Sequence, residues 1–215
     1  LPWANVGKMK SWGADGHISY TQPLGDNDKY LVVRANYTQS LNEITNFEED
    51  LKKYDYQSAV GYQSGINRGL IALGLFKDEA DVQNSPRQEF GSYLPGDIKY
   101  KDVNGDGVVD DNDQVAIGAT SRPNMIYGIG ASASWNGLDV NIHFQGAGKS
   151  TFCIGGNGVY PFADGGWGNV LTDVVKSSRW ISADISGDPA TEDVNAEYPR
   201  LTYGWNNNNY RPSTY

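Results

Sequence analysis

The sequence is poor in cysteine, histidine and long apolar runs. Its single cysteine, Cys153, excludes an internal disulfide and any site built from several thiolates. The two histidines, His17 and His143, lie too far apart in the chain to form a local metal-binding pair. The longest apolar run, Leu70 to Phe76, is much shorter than the roughly 20 residues of a membrane helix. These absences exclude a helical membrane protein and leave a β-barrel possible.

The charge balance is acidic and the composition favours β-structure. The 215 residues include 17 Lys and Arg against 26 Asp and Glu, which gives a formal net charge of −9. Because the chain has no Lys and Arg cluster of the kind that binds phosphates, nucleic acid is excluded as a partner. The 26 glycines, 14 tyrosines and 6 tryptophans are typical of strands joined by many turns.

Alternating apolar and polar residues predict two hairpins. The clearer one covers residues 124–146, where Asn136 and Gly137 form the strongest two-residue hairpin signal. The other covers about residues 16–41. In the last strand of the clearer hairpin, the two faces separate completely. Leu138, Val140, Ile142 and Phe144 lie on one face, and Asp139, Asn141, His143 and Gln145 lie on the other.

This alternation has two structural interpretations. In a soluble β-sandwich the apolar face packs in a core, whereas in a membrane barrel it meets lipid and the polar face lines the lumen. The hairpin alone favours the sandwich, because soluble β-proteins are common. However, the strands of about 10 residues suit a tilted membrane strand. The long connections 42–123 and 147–215 also contrast with short hairpin turns. We therefore expect an all-β chain that forms part of a large transmembrane antiparallel β-barrel with long extracellular loops.

The acidic segment 102–113 matches the template of a calcium-binding loop. Gly107 occupies the sixth position, where the loop turns sharply, and the twelfth position holds Asp113 instead of the usual Glu. Four carboxylates crowded together without a cation would repel one another. We therefore expect one structural Ca²⁺ ion, against the alternative of an acidic turn that binds nothing. The predicted ligands are Asp102, Asn104, Asp106, the carbonyl of Val108, Asp110 and Asp113.

The flanks of this loop differ from those of an EF-hand. Residues 98–101 and 114–118 read as extended rather than helical. The loop is also single, whereas sensor EF-hands are paired and a dockerin-like module would need two loops with helices. The expected role of the ion is therefore to stiffen a surface segment.

Other candidate sites are weaker. Cys153 has no histidine nearby in sequence, and His143 alternates with polar neighbours, which suits a lumen-lining side chain. The aromatic residues Tyr160, Phe162 and Trp167 could stack on sugar rings or pack within an ordinary loop. The sequence favours neither interpretation over the other. No acidic pair or nucleophile with its base stands out, so we expect no enzymatic activity.

Three further local elements are predicted. The spacing of apolar residues indicates a short amphipathic helix over 169–179. The run Asn206–Asn209 is typical of a turn or loop. Residues 69–76 form a possible strand within the first long connection.

Several segments together resemble the SusC/RagA family of TonB-dependent outer-membrane transporters. The most specific is PGDIKYKDVNGDGVVDDNDQVAIG at residues 95–118. Similar agreement is found in GLIALGLFKD at 69–78 and in YGIGASASWNGLDV at 127–140, followed by FQG at 144–146. Arg179-Trp180 and YPRL at 198–201 with the asparagine run also match.

The resemblance implies a large plugged barrel that imports oligosaccharides or peptides with a SusD-like surface lipoprotein and with energy from TonB. This chain shows neither a plug domain nor a TonB-contacting segment, and it has too few strands to close a barrel. We therefore expect a piece from the C-terminal barrel region, located in the bacterial outer membrane. The alternative is a soluble, calcium-stabilised β-sandwich that binds carbohydrate or acts in adhesion.

Overall fold

The computed structural model describes residues 6–25, 29–163 and 168–215. In these residues no helix has the length and apolarity needed to cross a membrane. The strands are β1 (Gly7–Pro23), β2 (Tyr30–Phe47), β3 (Ile66–Gly69), β4 (Ala72–Leu75), β5 (Arg87–Gln88), β6 (Ile98–Tyr100), β7 (Val108–Val109), β8 (Val115–Thr120), β9 (Met125–Trp135) and β10 (Leu138–Gly148). The short helices are α1 (Glu79–Asn84), α2 (Thr172–Lys176) and α3 (Ala183–Ser186), and single 3-10 turns lie at Asp55–Gln57, Asp111–Asp113 and Pro189–Thr191.

The chain divides into two compact units. The first, called here the hairpin unit, comprises residues 1–52, 58–67 and 118–151. The second, the loop unit, comprises residues 53–57, 68–117 and 152–215. A four-stranded sheet and three two-stranded sheets account for the strands, and the small sheets pair β3 with β8, β4 with β6 and β5 with β7.

The four-stranded antiparallel sheet of the hairpin unit has the order β1-β2-β9-β10. Its outer hairpin β9–β10 turns at Asn136 (φ 50°) and Gly137 (φ 82°). Two consecutive positive φ angles define the type I′ turn that this Asn-Gly pair predicts. The 11 residues in each of β9 and β10 match the length of a tilted membrane strand.

The first hairpin is longer than its sequence pattern indicates. The alternation predicts a hairpin over about 16–41, whereas β1 has 17 residues and β2 has 18, and their register pairs Gly7 with Phe47. The added ends contain glycine and weakly alternating residues, so only the ladder hydrogen bonds between the two strands reveal them as strand. The predicted turn residues 26–28 lie outside the described residues.

Cross-strand register gives this sheet one apolar and one polar face. Arg34 of β2 lies opposite Gly130 of β9, which lies opposite His143 of β10, and successive residues alternate between faces. On the opposite face, Ile18, Ile142 and Phe144 are 69%, 52% and 69% exposed. The apolar face carries Trp12, Ile18, Tyr20, Leu31, Val33, Tyr37, Tyr127, Ile129, Leu138, Val140, Ile142 and Phe144.

Two glycines of β9 lie beneath polar side chains on the polar face of the sheet. A Cβ atom at Gly128 would lie 2.5 Å from Oδ1 of Asn36, and one at Gly130 would lie 2.8 Å from Nδ1 of His143. The side chains of Arg34, Asn36 and His143 therefore lie over backbone that carries no side chain. The Arg34 guanidinium donates to Oδ1 of Asn141 at 2.7 Å. Larger residues at the two glycine positions would displace this polar row.

The loop unit packs around its own small apolar core. Strands β4 and β6 pair antiparallel, and β5 and β7 pair parallel. The rings of Phe76 and Tyr93 stack at 5.3 Å, and Phe90 meets Tyr100 edge-on at 6.1 Å. The core consists of Leu70, Leu75, Phe90, Ile98, Tyr100, Val109, Trp180 and Ala196.

The local predictions for this unit agree with the structure in type and differ in extent. The segments 98–101 and 114–118 are extended, as β6 and β8. The possible strand over 69–76 is divided between β3 and β4, and the helix predicted over 169–179 is the shorter α2. A sandwich would need a second large sheet, and in the described residues the other sheets have two strands each.

Candidate metal loop and the buried polar network

The first half of the acidic loop is ordered by its own side chains. Asp102 accepts hydrogen bonds from the backbone N–H groups of Gly105 at 2.6 Å and Gly107 at 2.8 Å. Oδ1 of Asn104 accepts from the N–H of Asp106 at 2.8 Å. Side-chain oxygens that bond to N–H groups a few residues further on create tight turns. The Asp, Asn and Gly residues therefore account for the loop conformation directly.

The second half of the loop is organised by Asp113, which is fully buried. Its carboxylate accepts from the N–H of Val103 at 2.8 Å and from the N–H of Asp110 at 2.9 Å, which ties the loop ends together. Asp110 in turn accepts from the N–H of Asn112 at 2.7 Å and caps the 3-10 turn. Asp113 therefore closes the loop from the twelfth position with its shorter side chain.

The loop has the oxygen donors that calcium prefers, but its acidic side chains do not have the arrangement of a metal site. All six predicted ligand positions supply oxygen atoms, which hard cations prefer. A carboxylate oxygen that accepts one N–H also retains a lone pair. Within the described ranges, however, no group of three or more His, Cys, Asp or Glu side chains is arranged to hold a metal ion. Calcium binding at this loop stays a prediction.

The loop is anchored in the loop unit through several elements. Val109 at its eighth position is fully buried in the core, and β7 pairs with β5. The carbonyl of Asn112 accepts from the hydroxyl of Tyr56 at 2.8 Å. Burial is the main cause that raises the pKa of Tyr56, and the negative charge of Asp113 adds to it. Arg211 forms an ion pair with Asp111, the loop acid that the calcium template does not use.

A buried polar network centred on Asp97 lies in the same unit. Asp97 is fully buried and bonds the Arg200 guanidinium at 2.8 Å. Its carboxylate also accepts from the N–H of Leu94 and from Nδ2 of Asn209, both at 2.8 Å. A buried carboxylate is tolerated when it is paired and hydrogen-bonded in this way.

The network continues through a buried amide pair. Gln88 donates from Nε2 to Oδ1 of Asn208 at 2.6 Å, and its Oε1 accepts from the N–H of Tyr100 at 2.6 Å. The hydroxyl of Tyr100 donates to the carbonyl of Asn208 at 2.7 Å. Burial raises the pKa of Tyr100. The predicted turn at the asparagine run is therefore a turn, but one whose residues Asn206 and Asn208 are buried.

Comparisons with known proteins agree with these observations. No family profile matches the chain. The TonB-dependent receptor P26 of Formosa agariphila is 26% identical over 151 residues, which cover 66% of this chain and 15% of that protein. The solved RagAB peptide transporter superposes on 92% of this chain and 20% of its own matched chain, with a TM-score of 0.59 and 19% identity. The chain thus spans about a fifth or less of either relative's length.

The predicted resemblance to TonB-dependent receptors of the SusC/RagA type is confirmed as a similarity. The structural match shows the fold, so the predicted all-β architecture is confirmed. Receptors of this type lie in the bacterial outer membrane, which agrees with the location that the sequence predicts.

Two candidate sites from the sequence, Cys153 and the aromatic group around Tyr160, have little support in the structure as binding sites. Cys153 is exposed and free. Tyr160 stacks on Tyr210 at 4.1 Å and meets Trp205 edge-on at 5.7 Å, so its ring is used in packing between loops. Trp167, which the sequence grouped with it, lies outside the described residues.

Sequence reasoning missed the residues that build the network. Asp97 and Arg200 lie within family-like segments but carry no pattern that marks them as partners, and Gln88 lies in no such segment. Such residues are separated by about a hundred positions, and no local periodicity reports a contact of that range.

Proposed function

We propose that this chain is part of an outer-membrane TonB-dependent transporter that imports oligosaccharides or peptides with a SusD-like surface lipoprotein. The observation that carries this proposal is the four-stranded sheet with one apolar and one polar face. Large apolar side chains along the apolar face are exposed to an extent that suits hydrocarbon rather than water. The role is passage of a cargo through a barrel and not enzymatic catalysis.

The two faces of the sheet determine which residues of β10 meet lipid and which meet the lumen. Leu138, Val140, Ile142 and Phe144 face lipid in this proposal, whereas Asp139, Asn141, His143 and Gln145 face the lumen. A lumen that is filled with polar groups and water accommodates such side chains. The long connections 42–123 and 147–215 are then extracellular, since the hairpin turns are short and barrels of this class have their long loops outside.

The cargo and partners follow by analogy with the relatives. The RagAB complex is described as a peptide transporter, and the P26 protein as a TonB-dependent receptor. We infer that the complete protein contacts TonB through parts outside this chain and works with a lipoprotein at the cell surface. Because the chain spans a small share of both relatives, these roles belong to the whole protein.

Calcium is proposed as the structural ion of residues 102–113. The spacing of the oxygen-bearing residues and the turns that they form support it. Asp102, Asn104, Asp106, Asp110 and Asp113, with the carbonyl of Val108, would hold the ion. Bound there, it would offset the loop's negative charge and stiffen the segment that contains β7.

The transport proposal is tested on the complete protein in its native cell. Cell fractionation should recover it in the outer membrane, and purification should require detergent. Labelled peptide and oligosaccharide pools should enter wild-type cells and fail to enter cells that lack TonB. Recovery of a folded monomer in plain buffer, or uptake that is independent of TonB, would contradict the proposal.

A further inference from the structure

The strands β1 and β2 are longer than a membrane crossing requires. They have 17 and 18 residues, whereas about 9–11 residues of tilted strand cross the hydrocarbon of a bilayer. The 11 residues of β9 and of β10 fit that length. The hairpin β1–β2 therefore continues past the bilayer at one end, and its side chains identify the level at which it leaves.

One boundary of the apolar face lies at the hairpin turns. Trp135, which pairs with Leu138 on this face, is 53% exposed. Nζ of Lys29 lies 5.1 Å from the centre of the Trp135 ring. On β1, the hydroxyl of Tyr20 donates to Oε1 of Gln22 at 2.7 Å. Aromatic rings with a cation or polar group beside them are typical of the interface between lipid and water.

A second aromatic row crosses the apolar face near the other end of β9. Tyr37 of β2 pairs with Tyr127 of β9. A Cβ atom at Gly146 of β10 would lie 2.4 Å from Cζ of Tyr127, so this ring lies against the backbone of the neighbouring strand. Between this row and Trp135, the described positions of the apolar face hold no acidic or basic residue.

The distance between the two aromatic levels is slightly shorter than the apolar band of a barrel. Tyr127 and Trp135 are eight residues apart on β9, which is about 27 Å along an antiparallel strand. A tilt of about 40° reduces this to roughly 20 Å along the membrane normal, against about 25 Å for the band. The hydrocarbon therefore ends roughly 5 Å beyond the row of Tyr37 and Tyr127.

Beyond that level, polar residues appear on the apolar face of β1 and β2. The next positions are Ala14 with its partner Gln39, followed by Trp12. Nζ of Lys10 lies 5.5 Å from the centre of the Trp12 ring, so the two side chains share one side of the sheet. Glu43 is opposite Lys10 in the register, but in the described part of the chain Lys10 forms no ion pair. Its ammonium is therefore available to a lipid headgroup.

Strand β2 changes its neighbour at the same level. Gln39 still pairs with Met125 at the start of β9. Further along β2, the N–H of Ile44 donates to the carbonyl of Tyr62 at 2.9 Å, and the N–H of Gly61 donates to the carbonyl of Ile44 at 2.8 Å. A connecting segment, rather than a barrel strand, covers β2 there. Irregular backbone of this kind does not occur facing lipid, which places this end of β2 outside the hydrocarbon.

We propose that the outer boundary of the hydrocarbon layer crosses β1 between Gly16 and Trp12, and that Lys10 contacts the phosphate of a lipid headgroup. Trp12 lies in the headgroup layer, and residues 7–11 of β1 and 41–47 of β2 stand outside the bilayer. The inference rests on the lipid-facing role of the apolar face proposed above. It adds where the lipid ends and which lipid group β1 binds.

Spin labels on the complete protein in phospholipid vesicles test the boundary. Ile18→Cys, Ala14→Cys and Lys8→Cys each carry one label on the apolar face of β1, in a background with Cys153→Ser. Dissolved oxygen should relax the Ile18→Cys label most, and a water-soluble nickel chelate should relax the Lys8→Cys label most. The Ala14→Cys label should lie between them. His17→Cys on the polar face is the matched control and should not show the pattern of a label in lipid.

The outcomes separate this boundary from the wider proposal. Equal exposure to lipid at the Ile18→Cys and Lys8→Cys labels would place all of β1 in the bilayer and overturn the boundary alone. Exposure to water at the Ile18→Cys label would overturn the lipid-facing role of the apolar face as well.

Lipid titration tests the contact made by Lys10. The complete protein in detergent is titrated with phosphatidylglycerol and with a galactosyl diacylglycerol, which has no phosphate, and bound lipid is counted by native mass spectrometry. Lys10→Gln should weaken binding of phosphatidylglycerol by about fivefold, the effect of one basic residue near an anionic surface. Binding of the galactolipid should not change. Lys101→Gln removes an exposed lysine of the loop unit and is the control. Equal binding of phosphatidylglycerol by both variants would exclude the contact.

Discussion

Oδ2 of Asp97 and Nη2 of Arg200 lie 2.8 Å apart, across 103 residues of sequence. The carboxylate is fully buried, whereas the guanidinium side chain is 21% exposed. The contact joins the segment that leads into the acidic loop to the segment 198–201. Two of the family-like segments of the loop unit, 95–118 and 198–201, are therefore connected by one ion pair.

Loss of the Arg200 partner should strongly destabilise the loop unit. Arg200→Met leaves the Asp97 carboxylate buried with only neutral hydrogen-bond donors, and we expect a loss of about 3 kcal/mol. Thermal unfolding of the complete protein in detergent measures it. Arg122→Met, which removes an exposed arginine, is the control and should leave the transition unchanged. Similar transitions in both variants would mean that the ion pair contributes nothing to stability.

Gly96 should be intolerant of any side chain. It has φ +84°, and a Cβ atom there would overlap the Trp180 ring. Gly187 has a similar φ of +74° with open space around its Cβ position. Gly187→Ala should therefore cost about 1 kcal/mol from backbone strain alone. Gly96→Ala should cost about 1–3 kcal/mol more from overpacking. Comparison of the two melting curves separates strain from overlap, and equal losses would exclude the overlap.

The two faces of β10 should respond differently to a charge. Phe144→Arg introduces arginine on the apolar face and should destabilise the barrel by about 2–4 kcal/mol near the bilayer midplane. Gln145→Arg changes the next residue, on the polar face, and should cost little. Urea unfolding in phospholipid vesicles measures both. A larger loss for Gln145→Arg would reverse the proposed assignment of lipid and lumen.

Calcium removal should lower the stability of the loop unit. An ion present at a hundredfold excess over its dissociation constant stabilises the folded state by about 2.7 kcal/mol. Chelation should therefore lower the melting temperature, and added Ca²⁺ should restore it. Asp102→Ala with Asp106→Ala should abolish the response. Asp111→Asn alters a loop acid outside the template and should retain it. If chelator leaves the melting temperature of the wild type unchanged, the proposed calcium binding at this loop is wrong.

The sequence alone predicts the elements whose cause is local. The Asn136-Gly137 turn, the alternation of β9 and β10 and the extended flanks of the acidic loop all depend on residues close in the chain. The family resemblance adds the barrel architecture. The calcium site is also predicted from local spacing. It stays a prediction because convergence of the ligands on one ion depends on the position of each side chain.

Tertiary structure decided what depends on distant partners. The ends of β1 and β2 became strands because each supplies the other's hydrogen bonds, although neither alternates clearly. The run Asn206–Asn209 has the composition of an exposed turn, yet Asn206 and Asn208 are buried. The amides of Asn208 and Asn209 satisfy Gln88 and Asp97. Composition determines which residues can turn or alternate. Only the folded chain determines which polar groups find partners away from water.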